Sequence, residues 1–192
     1  MIPQEAISLI KESEGLRLKS YWDAHGEVWT VGYGDTGPLV DQDTVITEME
    51  ATQRLITRIN EEFVPGVLKA LTREPTANQL GAYVSLAYNI GVGAFARSTT
   101  VKRFNRGDII GAADAILWFN KSGGVVLNGL VTRRSNERTL FLKPDKLKVL
   151  SDDLPHVEIV ENAINAPWYV RAWRWIERKL NNYAKENPHE PS

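Results

Sequence analysis

The stretch KESEGLRLKSYWDAHGEVWTVGYGDTG, Lys11 to Gly37, constrains the fold most, because its structural period changes midway. Up to Glu14 the pattern is helical. Pro3 suits a first turn, Ile7, Ile10 and Glu14 fall on one stripe at about 100° per residue, and Gly15 follows where a left-handed C-cap would sit. From Tyr21 to about Gly37 the pattern becomes that of a short hairpin. Val28, Trp29, Thr30, Val31 and Tyr33 favour strand, while Gly26, Gly32, Gly34 and Gly37 mark turns. A helix that hands over to a hairpin within a few residues confines the chain to a mixed fold.

Beyond the hairpin the pattern is almost wholly helical. Thr47 with Glu50 forms a capping box, opening a helix expected to stop before Pro65. Thr76 with Gln79 repeats the signal ahead of LGAYVSLAYNIG, where Leu80, Tyr83, Val84, Ala87 and Tyr88 recur at helical spacing. STTVKRFNRG reads as a short helix ended by Gly107, and Asp108 caps IIGAADAILWF. SGGVVLNG is a glycine-rich break before LVTRRSNERTLFLK, which Pro144 ends. The expected fold class is α+β and mostly α: an N-terminal helix, a small β-hairpin and a helical bundle.

At 192 residues the chain is long enough for one sizeable domain, or one domain with an appendage. The character changes near Ser151. SDDLPHVEIVENAINAP carries four acidic residues and no basic one, and WYVRAWRWIERKLNNYAKE then has five basic residues, two acidic ones and three of the six tryptophans. We divide the chain into a main domain, 1–150, and a C-terminal helical extension, 151–192, docked on it. Within the extension Tyr169, Trp173, Ile176, Leu180 and Tyr183 form one apolar stripe. Three uses are open for residues 167–186: packing on the domain, contact with anionic membrane or lipopolysaccharide, or a dimer contact.

Several classes are excluded by composition. A net charge of −1 gives no whole-chain attraction to nucleic acid. Absence of cysteine removes disulfides and thiolate chemistry, and His25, His156 and His189 lack ligand spacing, so no metal site is expected. The N-terminus MIPQEAISLIKE is no signal peptide, and no stretch approaches the roughly 20 apolar residues that span a bilayer.

Glu14 is an acid on the apolar stripe of its helix and in its last turn. Burial and the helix dipole there disfavour the carboxylate, which suits a general acid. The competing reading is a buried glutamate paired with Arg133, Arg134 or Arg138, and the two are compatible. Asp23 opens the hairpin, where it is also a good turn residue. Thr30 shares a strand face with Val28 and Gly32, so it faces a cleft if Trp29, Val31 and Tyr33 face the core; it is equally a plain strand former. Two carboxyl groups across a sugar-sized gap, with a hydroxyl to hold a water, suit hydrolysis of a glycosidic bond.

The stretch ESEGLRLKSYWDAHGEVWTVGYGDTG resembles the signature of phage-type lysozymes, the endolysins of glycoside hydrolase family 24. NQLGAYVSLAYNIGVGAFARST and LWFNKSGGVVLNGLVTRRSNERTLFL extend the resemblance over the first three quarters of the chain. It implies Glu14 as general acid, Asp23 as second carboxylate and Thr30 as the residue that positions the attacking water. It implies cleavage, without a cofactor, of the β-1,4 bond between N-acetylmuramic acid and N-acetylglucosamine, usually with inversion. By the same resemblance Tyr88, Asn89 and Ser98 border the glycan cleft and Asn128 lies opposite, although Tyr88 is as readily a core residue. Arg17 and Lys19 are either guides for an anionic polymer or plain solvated charges.

The chain departs from the pattern at two places. Six residues separate Asp23 from Thr30 where the family usually has five. An extra residue inside the strand would turn Thr30 to the opposite face, whereas one in the turn near Gly26 would not. Glu27 then becomes a rival second carboxylate. Asp35 stands where the family commonly has histidine and needs a basic or donor partner. The implied protein is a monomer made in the host cytoplasm that acts on peptidoglycan after release to the periplasm. Two other readings are a chitin-type glycosidase and a peptidoglycan-binding protein that has lost its activity.

Overall fold

A computed structural model describes residues 2–24 and 26–144, and the readings made for 151–192 lie outside the described residues. Helix α1, Gln4–Glu14, leads into an antiparallel hairpin of β1, Arg17–Asp23, and β2, Val28–Gly32. Among the described residues seven further α-helices come after it: α2 Glu48–Arg58, α3 Val64–Ala70, α4 Ala77–Ile90, α5 Val92–Arg97, α6 Thr99–Asn105, α7 Ile109–Ile116 and α8 Asn128–Leu142. The fold is mostly helical with a small sheet, as its class was expected to be.

The hairpin begins four residues earlier than its composition suggested. Arg17 to Lys19 carries no β-branched residue, yet tertiary pairing draws it into the sheet. On one edge Ser20 N–H donates to the Thr44 carbonyl and Ile46 N–H to the Leu18 carbonyl, each at 2.9 Å. On the other edge β1 pairs with β2 in the register Tyr21↔Thr30, Trp22↔Trp29 and Asp23↔Val28, with an irregularity between Arg17 and Tyr21.

Both capping boxes form. Thr47 and Glu50 close one at α2, and Thr76 and Gln79 the other at α4. Pro65 does not stop the helix that begins at Glu48. The backbone widens into a π-helical segment, Ile59–Phe63, and continues as α3 with proline in its first turn. Widening to i→i+5 bonds accommodates a residue that lacks an N–H and crowds the preceding turn. The glycine-rich break at 121–126 contains a second, minimal hairpin, β3 Lys121–Ser122 with β4 Val125–Val126. Gly123 and Gly124 both have positive φ, 56° and 81°, which a two-residue turn of primed type requires. Strands of two residues leave no alternation to detect.

The core is organised on α4, buried without interruption from Leu80 to Ala87. Tyr83 is its hub, with ring centroids 5.0 Å from Phe95, 5.6 Å from Phe104 and 4.9 Å from Phe141. Its hydroxyl meets Thr100 Oγ1 at 3.0 Å, and burial pushes the phenol far up. Gly81 lets α1 approach α4. A Cβ there would lie 2.8 Å from the Ala6 Cβ and 3.0 Å from the Pro3 Cδ. Gly81→Ala therefore loses about 1–3 kcal/mol to overpacking, more than the roughly 1 kcal/mol gained in helix propensity. Urea denaturation checks this, and a raised midpoint would contradict the close approach.

Candidate active site

Glu14 is the last residue of α1. Gly15 turns the chain out of the helix with φ 72°, and its N–H still bonds the Lys11 carbonyl at 3.0 Å. Glu14 lies at the surface, but its side chain is only 23% exposed, because Arg133 reaches it from α8. The Arg133 Nη1 donates to Glu14 Oε1 at 2.8 Å. The paired reading of Glu14 is thus realised, and among the three arginines Arg133 is the partner. Arg138 bonds Asp114 at 2.8 Å, and Arg134 turns to Glu137. Among the described residues no hydrogen bond falls on Glu14 Oε2, so one oxygen is anchored and the other is unbonded.

Behind the pair lies a buried ionic cluster. Arg133 is 5% exposed, and Arg134, Glu137 and Ser85 are fully buried. Glu137 follows Arg133 by four residues and Arg134 by three, so all three project to one side of α8. Burial pushes the Glu137 carboxyl upward, opposed by Arg134, Arg133 and the Ser85 hydroxyl. Burial likewise lowers Arg134, and the Glu137 charge opposes that. Neither Glu137 nor Ser85 stood out in the sequence. The clue was present in RRSNER, whose glutamate sits at ion-pair spacing from both preceding arginines.

Asp23 ends β1, half-buried and opposite Val28. Its carboxylate lies over the turn, since a Cβ at Gly26 would come within 3.3 Å of Asp23 Oδ2. Residues directly opposite in an antiparallel pair share a face. The register therefore sets Asp23 and Val28, Tyr21 and Thr30 on one face, with Asp23 and Thr30 as diagonal neighbours. Trp22 and Trp29 occupy the other face, their rings edge to face at 5.5 Å.

Thr30 is 3% exposed and Val31 fully buried, so both faces of β2 are covered at this point. That differs from the alternation expected of the strand, which left Thr30 facing an open cleft. Its Oγ1 is buried without a hydrogen-bond partner among the described residues. The ladder from Asp23↔Val28 to Tyr21↔Thr30 is unbroken, which leaves the loop 24–27 to absorb a length difference. Glu27 lies in that loop, exposed and in the left-handed region at φ 51°, a conformation that loops tolerate and strands do not.

The four residues expected at the glycan cleft have different settings. Tyr88 is half-buried, donates to the Tyr33 carbonyl at 2.6 Å and packs on Phe63 at 4.7 Å between ring centroids. Burial pushes its phenol up to about 12, with Arg58 opposing. Ser98 is buried and caps α6 by accepting from Val101 N–H at 3.3 Å. Asn89 is exposed, with its Oδ1 held by Arg134 Nη2 at 3.2 Å, and Asn128 is exposed as the first residue of α8. Asp35 has found the basic partner it needs in Arg54, at 3.0 Å. Among the described residues no group of three His, Asp or Glu side chains is placed to hold a metal ion, and no helix is long and apolar enough to cross a membrane.

Comparison with known proteins gives the same assignment across most of the chain. Residues 11–137 match the phage lysozyme family. The sequence is 46% identical over 149 residues to the endolysin of Bacillus phage B103, covering 77% of this chain and 56% of that protein. It is 38% identical over 145 residues to the endolysin of Salmonella phage P22, covering 73% of this chain and 97% of that protein. The solved muramidase domain of SpmX from Asticaccaulis excentricus superposes with a TM-score of 0.69 at 32% identity, covering 75% of this chain and 99% of the domain. The chain thus spans little more than half the length of its Bacillus phage relative, and nearly all of the P22 protein. It belongs to the phage lysozyme family.

Proposed function

We propose that the chain is an endolysin: a muramidase that hydrolyses the β-1,4 bond between N-acetylmuramic acid and N-acetylglucosamine and so lyses the host cell. Glu14 is the general acid, Asp23 the second carboxylate and Thr30 the group that positions the attacking water. The observation that carries this reading is the disposition of Glu14, with one oxygen anchored by Arg133 and the other unbonded among the described residues. A fixed carboxyl with one free oxygen can deliver a proton to a glycosidic oxygen in a defined direction. The shared face of Asp23 and Thr30 supports the water-directed half of the reaction. Relatives that carry the words endolysin and muramidase support the substrate class.

Around this centre Asn89 and Asn128 offer exposed amides to the glycan. Tyr88 and Ser98 shape the cleft through the elements they brace. The enzyme acts as a monomer that meets peptidoglycan after release from the host cytoplasm; for residues 167–186, outside the described residues, the apolar stripe flanked by arginines and tryptophans in the sequence supports contact with anionic membrane or lipopolysaccharide.

Digestion of purified cell walls tests the reaction. The new reducing ends should be N-acetylmuramic acid, in the inverted anomeric form when read by proton NMR before mutarotation. N-acetylglucosamine ends would instead indicate a different glycosidase. The rival carboxylates separate in the same assay. Asp23→Asn should lose about 10²-fold in rate, the lower range for a group acting in general acid–base chemistry, and Glu27→Gln should stay within about twofold. The reverse order would transfer the second role to Glu27.

A further inference from the structure

Glu14 and Asn89 both reach the surface, and a chain of buried charges joins them. Arg133 uses every guanidinium nitrogen: Nη1 donates to Glu14 Oε1 at 2.8 Å, Nε to Glu137 Oε1 at 3.2 Å and Nη2 to the Ser85 carbonyl at 3.1 Å. Glu137 Oε1 also accepts from Ser85 Oγ at 2.7 Å and from Arg134 Nη2 at 3.1 Å. The same Arg134 nitrogen donates to Asn89 Oδ1 at 3.2 Å. Two guanidiniums thus serve two carboxylates, and only Glu14 among the four side chains has substantial access to water.

We infer that Glu137 is a positioning residue for Glu14: its carboxylate competes for Arg133 and sets how strongly that arginine holds the acid in its charged form. This rests on the reading of Glu14 as the acid. A guanidinium shared by two carboxylates favours each negative charge less than one devoted to a single partner, and the two carboxylates repel each other across it. The geometry also fixes direction, because an Arg133 plane pinned at Glu137 and Ser85 can present Nη1 to only one place. Among the described residues Arg134 from α8 and Tyr88 from α4 are also electrostatically coupled to Glu14. Lys11, on the same helix, turns away to Thr52 at 3.1 Å and Glu48 at 3.8 Å.

Glu137→Gln removes the competing charge and keeps an acceptor for Arg133. The pH–activity profile on cell walls should lose its alkaline limb about one pH unit earlier than the wild type. Carbon-detected NMR titration of the Glu14 carboxyl in the intact chain should show its midpoint falling by a similar amount. A uniform loss of activity at every pH with both midpoints unmoved would mean that Glu137 serves folding alone and would overturn the inference, as would a shift to higher pH.

Should Glu137→Gln fail to fold, Ser85→Ala decides the matter. It withdraws one neutral donor from Glu137, weakens its charge and should shift the Glu14 midpoint the same way by about half a unit or less. An unmoved midpoint in that folded variant is also a negative result. A wild-type protein that leaves walls intact at all pH values refutes the enzymatic reading only, and the Glu14 titration still tests the part played by Glu137.

Discussion

Glu14→Gln should lower the rate of wall hydrolysis by about 10³-fold and leave the fold in place, within the range that general acid–base groups contribute. The amide keeps an oxygen where Oε1 accepts from Arg133, so the contact at 2.8 Å can persist. It has no proton to give from the position of Oε2. Arg133 retains Glu137 and the Ser85 carbonyl, and the Glu14 side chain is partly solvated, so the stability change should stay below about 1 kcal/mol. Reducing-end release and thermal unfolding measured on the same preparation separate the two effects. A variant that still clears walls within tenfold of wild type would remove Glu14 from the chemistry. Equal binding to walls by both proteins, with neither clearing them, would favour a glycan-binding protein instead.

How much of the fold and site could be read beforehand depended on whether the controlling interaction was local. The caps at Thr47 and Thr76 were legible because a capping box is closed by residues three apart. That Glu14 takes an arginine partner was legible because an acid on an apolar stripe is a local contradiction that a pairing can resolve. The start of β1 was not, since its pairing with the stretch around Thr44 to Ile46 is what makes Arg17 to Lys19 extended. Pro65 misled for a related reason: a proline removes one backbone bond, but packing of Ile59, Phe63 and Val67 into the core holds the helix through a π turn. In the site, three arginines were equally available to Glu14 on paper, and only the packing of α8 against α1 and α4 selects Arg133. Glu137 escaped notice because nothing local in RRSNER separates a solvated charged face from a buried one. Its complete burial is a tertiary fact.

Arg133→Met should be strongly damaging to stability. The side chain is nearly fully buried and is the ionic link between α1, α4 and α8. Methionine fills much of the stem volume, so the loss is mainly that of charge. Glu137 keeps Arg134 and Ser85 but loses one of two compensating cations, Glu14 loses its anchor, and the Ser85 carbonyl loses a donor. Removing one partner from a buried ion pair leaves the other uncompensated, at about 3–5 kcal/mol, or a fall in Tm on the order of 10 °C for a chain of this size. The pH dependence has a definite sign. The Glu137 carboxyl is raised by burial above its ordinary value of 4.5, and loss of Arg133 removes one of the groups that hold it down. The folded variant therefore binds this proton more tightly than the unfolded chain does, so its stability falls as pH rises above about 4.5 through the raised folded value. Calorimetry at a series of pH values should show the variant's deficit widening from acid toward neutral pH. A deficit that narrows in that direction would mean that Glu137 does not depend on Arg133, and that the buried cluster is held together by Arg134 alone.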